Sequence, residues 1–536
     1  MFDRAQFQRK ADFRGIYPDE LNEELAFHAG RYLVQYVAQA TGESAPVVLV
    51  GRDGRLSSPQ IYRSLVQGIT AAHGQPICAE LATTDMIQWG AGMRFHGAIA
   101  GAMVTASHNP PEYNGIKMVL RSPESGGLSM IRPIDHLHPL WEADRDQAAA
   151  AAAARAPIPA AEPLTLHQNF VRAALQRVDS LKQAAGSLVL DPGNGVGCVL
   201  VKHWRQVFTE RKIGVQLHAI FDQIDGQFPN RRPNPGLPGQ TRALEDAVRQ
   251  HQAGFGAAFD GDADRVFLVD QRGQFVPGSQ LLGALAARAL TKVGPGPVVF
   301  AAVCSFSVID AIRRFGGTPV SCRVGQDSIK VAMMKTKAIF GGESSAHYNF
   351  PDAYYLDSGL FALMMFWDLL LESNETCSQV LAPFVCWNHS GEINLRMRCD
   401  DWQEMGRKII DMLQTRFETA AANCYVTRLD GVGVYHPRVV EYPSVDDLFQ
   451  IDSAENPDGN LYRLVADGYR PQWWFNVRAS NNEPLLRVNF EAQDGALLVT
   501  QTLDLIDSIR HYCQEHGAQL EVEDAGNLSA NLPRSC

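Results

Sequence analysis

No stretch of the sequence approaches the roughly 20 consecutive apolar residues that a membrane-spanning helix needs, so no membrane partner is expected. There is no Cys-x-x-Cys pair. The 10 cysteines are scattered, which argues against a disulfide frame or a zinc site and for free thiols in a reducing cytoplasm. There is no Lys/Arg run long enough for a nucleic-acid footprint, and the net charge is −11, so no nucleic-acid partner is expected. Met1 to Arg14 is mixed and charged and does not read as a signal peptide. A small anionic ligand stays open, because local arginines, helix N-termini or a metal hold anions whatever the net charge. At 536 residues the chain exceeds one core, and about 100–200 residues per domain gives about three or four domains.

Strands alternate with helical patterns through most of the chain, which predicts doubly wound α/β layers. Glu20 to Thr41 is amphipathic, with Asp19 as the expected N-cap. Pro46 to Val50 reads as a strand, Ser58 to Ala72 as a helix and Gly97 to Val104 as a buried strand. Seven alanines at 148–154, followed by Arg155-Ala156-Pro157, read as a linker. The rhythm restarts near Leu164, with strands at Ser187 to Leu190, Phe255 to Phe259 and Val266 to Asp270. It runs a third time from about Leu281. After about Asn388 the pattern changes to a smaller α+β domain, in which Tyr425 to Asn460 reads as an extended insertion and the tail after Glu523 as frayed. The expected domains are 1–160, 161–276, 277–387 and 388–536.

Four loops carry chemistry. Ser107 follows the Gly97–Val104 strand in Thr105-Ala106-Ser107-His108-Asn109-Pro110, and the proline breaks the strand. That places the serine on a tight turn at a strand end, where α/β sheets commonly put chemistry. Alone, such a serine is more often a turn or cap residue. Asp260, Asp262 and Asp264 alternate on a glycine-containing loop, and three close carboxylates repel unless a cation offsets them. An all-oxygen set suits Mg²⁺; a solvated acidic turn is the plain alternative. Arg265 follows with a guanidinium that suits phosphate. Glu343, Ser345 and His347 alternate, so an extended loop would turn all three to one side, suited to sugar hydroxyls or proton transfer. Arg478, Ser480, Asn481 and Asn482 join a guanidinium to small polar groups, which is phosphate-binding chemistry. Arg14, Arg52 and Lys117 are further cations near loops.

Together these segments resemble the α-D-phosphohexomutases. Thr105 to Pro110 with Tyr113 to Lys117 looks like the family's phosphoserine loop. Asp260 to Arg265 resembles its metal loop, Gly342 to His347 its sugar loop and Arg478 to Pro484 its phosphate loop. The four occur in family order from about residue 10 to residue 510. The ending Ser345-Ala346-His347 is most similar to bacterial phosphomannomutases. The resemblance implies three similar α/β domains with mixed sheets plus a C-terminal α+β domain around a central cleft.

It also implies an intramolecular phosphotransferase acting on a sugar phosphate. Ser107 would carry the phosphoryl group, and Mg²⁺ would be held by Asp260, Asp262, Asp264 and the phosphoserine. A hexose 1,6-bisphosphate would be intermediate and activator. Arg14, Lys117 and Arg265 would stabilise charge or assist proton movement, and His108 would orient the loop. Glu343 and Ser345, with His347 nearby, would bind sugar hydroxyls. Arg478, Ser480, Asn481 and Asn482 would hold the other phosphate, a task that favours a mobile domain. Mannose 6-phosphate and mannose 1-phosphate are the expected pair. Glucose or glucosamine phosphates are alternatives, and a non-catalytic sugar-phosphate-binding relative is a further one. Retention of Ser107 with all three aspartates argues against that last reading. The expected state is monomer or homodimer. The sequence departs from the family at Asn482 (usually Thr), at Val324-Gly325-Gln326 (usually with a histidine), at Val303 (commonly a cation) and in the length of 425–460.

Overall fold

A computed structural model describes residues 12–144, 163–179, 184–385, 387–451, 461–466, 468–480 and 483–528. The alanine run at 148–154, Asn481, Asn482 and residues 452–460 lie outside them. The chain forms two compact units, Met1–Leu281 with Ser345–Leu381, and Leu282–Ser344 with Ala382–Cys536. No helix among the described residues is long and apolar enough to cross a membrane, and no described cysteine is disulfide-bonded.

The first unit holds two mixed sheets. One has the strand order Phe13–Ile16, Tyr113–Arg121, Ala100–Val104, Val47–Arg52, Gln75–Leu81. Val47–Arg52 pairs in parallel with both of its neighbours, and Tyr113–Arg121 returns antiparallel to Ala100–Val104. The parallel strands are apolar on both faces because helices cover them. Glu23–Thr41 and Ser58–Ala71 bury Leu25, Leu33, Ile61, Leu65 and Ile69 there. Helix Glu23–Thr41 is capped by Asn22, whose side chain accepts from the Leu25 N–H at 3.1 Å. The cap is therefore Asn22 and not Asp19: Glu20 belongs to the preceding turn, where its carboxylate accepts the Ile16 N–H. The strand expected from Gly97 begins at Ala100, after a single 3-10 turn at Phe95–Gly97.

The second sheet runs Phe275–Val276, Val266–Asp270, Phe255–Phe259, Ala185–Asp191, Gly214–Ala219. Its two central strands at 255–259 and 266–270 match the sequence reading in full. Helix Gly359–Ser373 packs on helix Pro163–Leu175, with Phe170 stacked on Phe361.

The second unit contains a sheet in which Pro297–Ala301 pairs in parallel with Thr318–Cys322 and Phe340–Gly342. A six-stranded antiparallel sheet follows, ordered 425–427, 432–436, 473–479, 485–492, 388–398, 519–524. Helices Trp402–Phe417 and Gly495–Glu515 cover it over one core. The architecture is α/β, with three α/β domains and a C-terminal α+β domain.

Two expectations change here. Tyr425 to Ile451 is not an extended excursion: it supplies Tyr425–Thr427 and Val432–His436 to the C-terminal sheet and then strand Phe449–Ile451. Its alternating aromatic and β-branched residues are strand-forming despite the Pro and Asp content. The tail is ordered through Leu528, which is buried in the C-terminal core after strand Gln519–Asp524.

Candidate active site

Ser107 lies three residues past the end of strand Ala100–Val104, with φ at 51°. A β-substituted residue rarely adopts that left-handed region, and such strain gathers at functional turns. The turn is over-determined from behind. Thr105 Oγ1 accepts the Ser107 N–H at 2.8 Å and donates to Asp53 at 2.8 Å. Arg55, 1 % exposed, pairs with Asp53 and donates to the carbonyl oxygens of Ser107, Asn109, Pro110 and Tyr113. One buried fork thus fixes the whole loop.

The Ser107 hydroxyl donates to Asp260 Oδ2 at 3.0 Å and lies 3.3 Å from His108 Nδ1. Gly261 brings the aspartate loop this close: a Cβ there would collide with the Ser107 carbonyl. The loop is pinned in turn by buried Arg231, which pairs with Asp191 and donates to the Phe259 carbonyl.

Asp260, Asp262 and Asp264 are all buried, and each offers an oxygen within 4.8 Å of the others. Lys117 Nζ bridges Asp262 at 2.8 Å and Asp264 at 2.6 Å. Arg265 Nε pairs with Asp260 at 2.9 Å. Burial alone would raise the Asp262 carboxyl, but Lys117 and the Thr84 hydroxyl outweigh it and hold it below the usual range. Asp264 is pushed up to about 7 by burial and by Asp262, against the pull of Lys117. Asp262 Oδ1 and Asp264 Oδ1 are buried without a hydrogen-bond partner. Two orphaned carboxylate oxygens beside a third carboxylate and a serine oxygen fit a hard divalent cation.

Cations surround the serine. Arg14 donates to Asn109 at 2.7 Å and pairs with Asp12. Arg14 Nε and one terminal nitrogen of Arg265 are buried without partners. These spare donors suit phosphoryl oxygens. His108 reaches solvent, yet the protein crowding it and the Arg265 and Arg14 guanidiniums push its pKa well below the usual range, so it stays neutral. His347 goes the other way. Burial would lower it, but Asp357, 2.7 Å from Nδ1, and Asp264 raise it. Arg265 also reaches the Ser345 carbonyl at 3.5 Å.

The expectation that Glu343, Ser345 and His347 share one side of an extended loop does not hold. The strand ends at Gly342 and a turn follows, with Ala346 at φ 71°. His347 goes to Asp357. Glu343 belongs to the other unit, where it accepts from the Gly325 N–H at 2.6 Å and from Gln326 Nε2 at 3.0 Å. Arg478, on strand Trp473–Ala479, lies 3.7 Å from Glu392. The Ser480 N–H closes the turn onto the Leu485 carbonyl at 2.8 Å. Arg487 sits directly across from Arg478 and shares Glu392.

The sequence reading assigned no role to Arg55, Thr84, Arg231, Asp357 or Arg487. For Arg55 and Asp53 the signal was present: a Gly-Arg-Asp-Gly-Arg turn at a strand end is dense in charge for a buried position.

Four family models match in order. Residues 5–132, 168–273 and 277–385 match phosphoglucomutase/phosphomannomutase alpha/beta/alpha domains I, II and III, and 463–507 matches the family's C-terminal domain. The chain belongs to the phosphoglucomutase/phosphomannomutase family of the α-D-phosphohexomutases, and is an intramolecular phosphotransferase. A protein of Xanthomonas campestris pv. campestris named for phosphohexose mutases is 33 % identical over 505 residues, covering 93 % of this chain and 98 % of its own. An Escherichia coli phosphomannomutase is 31 % identical, over 92 % of this chain and 97 % of its own. A solved structure of a phosphoglucomutase/phosphomannomutase family protein from Burkholderia thailandensis has a TM-score of 0.75 at 25 % identity, covering 97 % and 100 % of the two chains.

Proposed function

We propose that this phosphohexomutase interconverts mannose 6-phosphate and mannose 1-phosphate, with Ser107 as phosphoryl carrier and a hexose 1,6-bisphosphate as intermediate. The observation that carries the reading is the Ser107 hydroxyl 3.0 Å from Asp260, at the head of a buried aspartate trio with two orphaned oxygens.

In the forward half-reaction the bond from phosphorus to Ser107 Oγ breaks. A bond to the free sugar hydroxyl forms, and that hydroxyl loses its proton. The bisphosphate turns, and its other phosphoryl group returns to Ser107. Asp260, Asp262 and Asp264, with the serine oxygen, would hold a magnesium ion, which when bound would supply positive charge against the transferring phosphoryl group. The rest falls to the chain. Arg14, Lys117 and Arg265 line the serine with positive charge, as phosphoryl transfer requires. His108, neutral, steadies the serine. His347, backed by Asp357, is the titratable group suited to moving the hydroxyl proton. Glu343 and Ser345 read sugar hydroxyls. Arg478 and Ser480, with Asn481 and Asn482, hold the phosphate that stays.

Mannose is favoured by the sugar-loop ending and by the Escherichia coli relative's name. Glucose phosphate is the second reading, which the Burkholderia relative's name keeps open. A coupled mutase assay across mannose, glucose and glucosamine 1-phosphates, with magnesium and with EDTA, tests the reading. The highest kcat/KM is expected for mannose, with loss of turnover in EDTA. A higher kcat/KM for another sugar overturns the mannose assignment, and full turnover by Ser107→Ala overturns the carrier.

A further inference from the structure

Helix Thr84–Gly92 begins with a buried acid that stands outside the aspartate trio. Thr83, Thr84 and Asp85 are all buried, and Asp85 is 1 % exposed. Thr83 Oγ1 donates to Asp85 Oδ1, and Ser358 Oγ donates to Asp85 Oδ2 at 2.6 Å. Burial first, and then the nearby Asp264 and Asp357, push the Asp85 carboxyl up to about 8 against the pull of the two hydroxyls. A buried acid costs solvation that an apolar side chain would not, so its use lies in its partners.

Those partners lead to His347. Ser358 Oγ also accepts the Phe361 N–H at 3.1 Å, as the cap of helix Gly359–Ser373. Its own N–H donates to the Tyr348 carbonyl at 3.0 Å. Asp357, one residue earlier, sits opposite Asn349 in a short antiparallel pairing and meets His347 Nδ1 at 2.7 Å. So short a pairing is marginal by itself. On its far side Gly359 presses on the aspartate loop, where a Cβ would come within 3.0 Å of the Ala263 carbonyl oxygen. Asp357-Ser358-Gly359 is thus held between the Asp85 turn and the aspartate loop. The same turn holds that loop. The Thr84 N–H donates to the Asp262 carbonyl at 3.1 Å, and the Thr84 hydroxyl donates to Asp262 Oδ2 at 2.6 Å. His347 Nδ1 lies 4.0 Å from Asp264 Oδ1.

We propose that Asp85 is a positioning residue for proton transfer: through Ser358 it sets the Asp357 carboxylate, and with it the His347 ring, beside the aspartate trio that Thr84 holds. This rests on the proton-moving role given above to His347. With Nδ1 committed to Asp357, Nε2 is the nitrogen left to exchange a proton with the sugar hydroxyl. Without Asp85 the strand end loses its anchor and the ring its orientation, so turnover suffers more than binding.

The test uses the full chain. Asp85→Ala leaves two buried hydroxyls without their acceptor. Its kcat is expected to fall about tenfold, the scale of losing a group that orients a reacting side chain, with KM within about twofold. Asp85→Asn keeps the shape and offers the hydroxyls an acceptor and a donor, and is expected to restore kcat to within about threefold. The ring is read separately, by proton NMR of protein carrying isotope-labelled histidine. The Nδ1 proton of His347, assigned by its loss in His347→Gln, is expected far downfield in the parent, shifted upfield or lost in Asp85→Ala, and restored in Asp85→Asn.

Ser358→Ala removes the same bond from the other side and takes the place of Asp85→Ala if that chain folds poorly, with the same two effects expected. An unmoved resonance overturns the proposal, as does a parent-like kcat in Asp85→Ala where His347→Gln loses turnover. An Asn variant that restores neither reading while thermal midpoints stay alike overturns it too. Failure of the underlying functional reading looks different: His347→Gln would then keep the parent kcat, while the resonance still answers to Asp85.

Discussion

Arg55 grips Ser107 by its carbonyl oxygen, at 2.8 Å, and leaves the hydroxyl free for Asp260. Arg55 thus holds the Ser107 loop by its backbone carbonyls and not by the serine side chain. Arg55→Lys keeps the charge but loses the fork that serves four carbonyls. Its kcat is expected to fall by about ten- to a hundredfold, with a KM near that of the parent. Arg55→Ala leaves Asp53 buried and unpaired and is expected to lose about 3–5 kcal/mol of stability, read as a lower denaturant midpoint. Full activity in Arg55→Lys would show that the loop holds itself.

Ser107→Ala removes the proposed carrier and leaves the loop's supports, because Thr105 and Arg55 hold Ser107 only through its backbone N–H and carbonyl. Turnover is expected to fall about a thousandfold or more, as for loss of a catalytic nucleophile. Intact mass after incubation with hexose 1,6-bisphosphate should show one added phosphoryl group on the parent and none on the variant.

Lys117 is the cation that bridges Asp262 and Asp264. Lys117→Met leaves those carboxylates to repel one another. In EDTA the variant is expected to melt several degrees below the parent, and millimolar magnesium to restore much of the difference by binding the folded state. Differential scanning calorimetry with and without magnesium checks this. Equal melting points in EDTA would mean that the lysine does not offset the aspartates.

His167 and His203 form a buried pair, with ring nitrogens 3.3 Å apart, between helices Pro163–Leu175 and Cys198–Arg211. Burial and the neighbouring imidazole lower His167 from 6.5 to about 4. The fold therefore holds the neutral ring, while the unfolded chain takes up a proton below about 6.5. Stability is full above that pH and falls as pH drops toward 4, by about 3 kcal/mol in all at 1.36 kcal/mol per unit. His167→Gln should flatten that limb of a stability-against-pH curve. Parallel curves for parent and variant would remove the histidine from the account.

Much of the candidate site was legible in the sequence because the residue patterns that suggest it are local. The aspartate trio, the Ser107 turn and the Arg478 segment each declare themselves within a few residues, at strand ends marked by Gly and Pro. The strands at 255–259 and 266–270 were legible for the same reason. The supports were not. Arg55 acts on residues more than 50 positions away, and Thr84 reaches Asp262 across 178. No local periodicity reports such pairings. The sugar loop misled because alternation suggests an extended strand, whereas Ala346 takes a left-handed turn. The 425–451 stretch misled because its Pro and Asp content hid strands that only their partners stabilise.

The contact between Gly261 and the Ser107 backbone has a consequence for inheritance. Ser107 and the acidic loop come from different domains, yet a single added methyl group would drive them apart. Neither domain can be exchanged with a relative's on its own terms: a chimera must bring a loop surface cut to the same contour. The two segments thus behave as one heritable unit distributed over distant parts of the gene, and drift in either is answerable to the other.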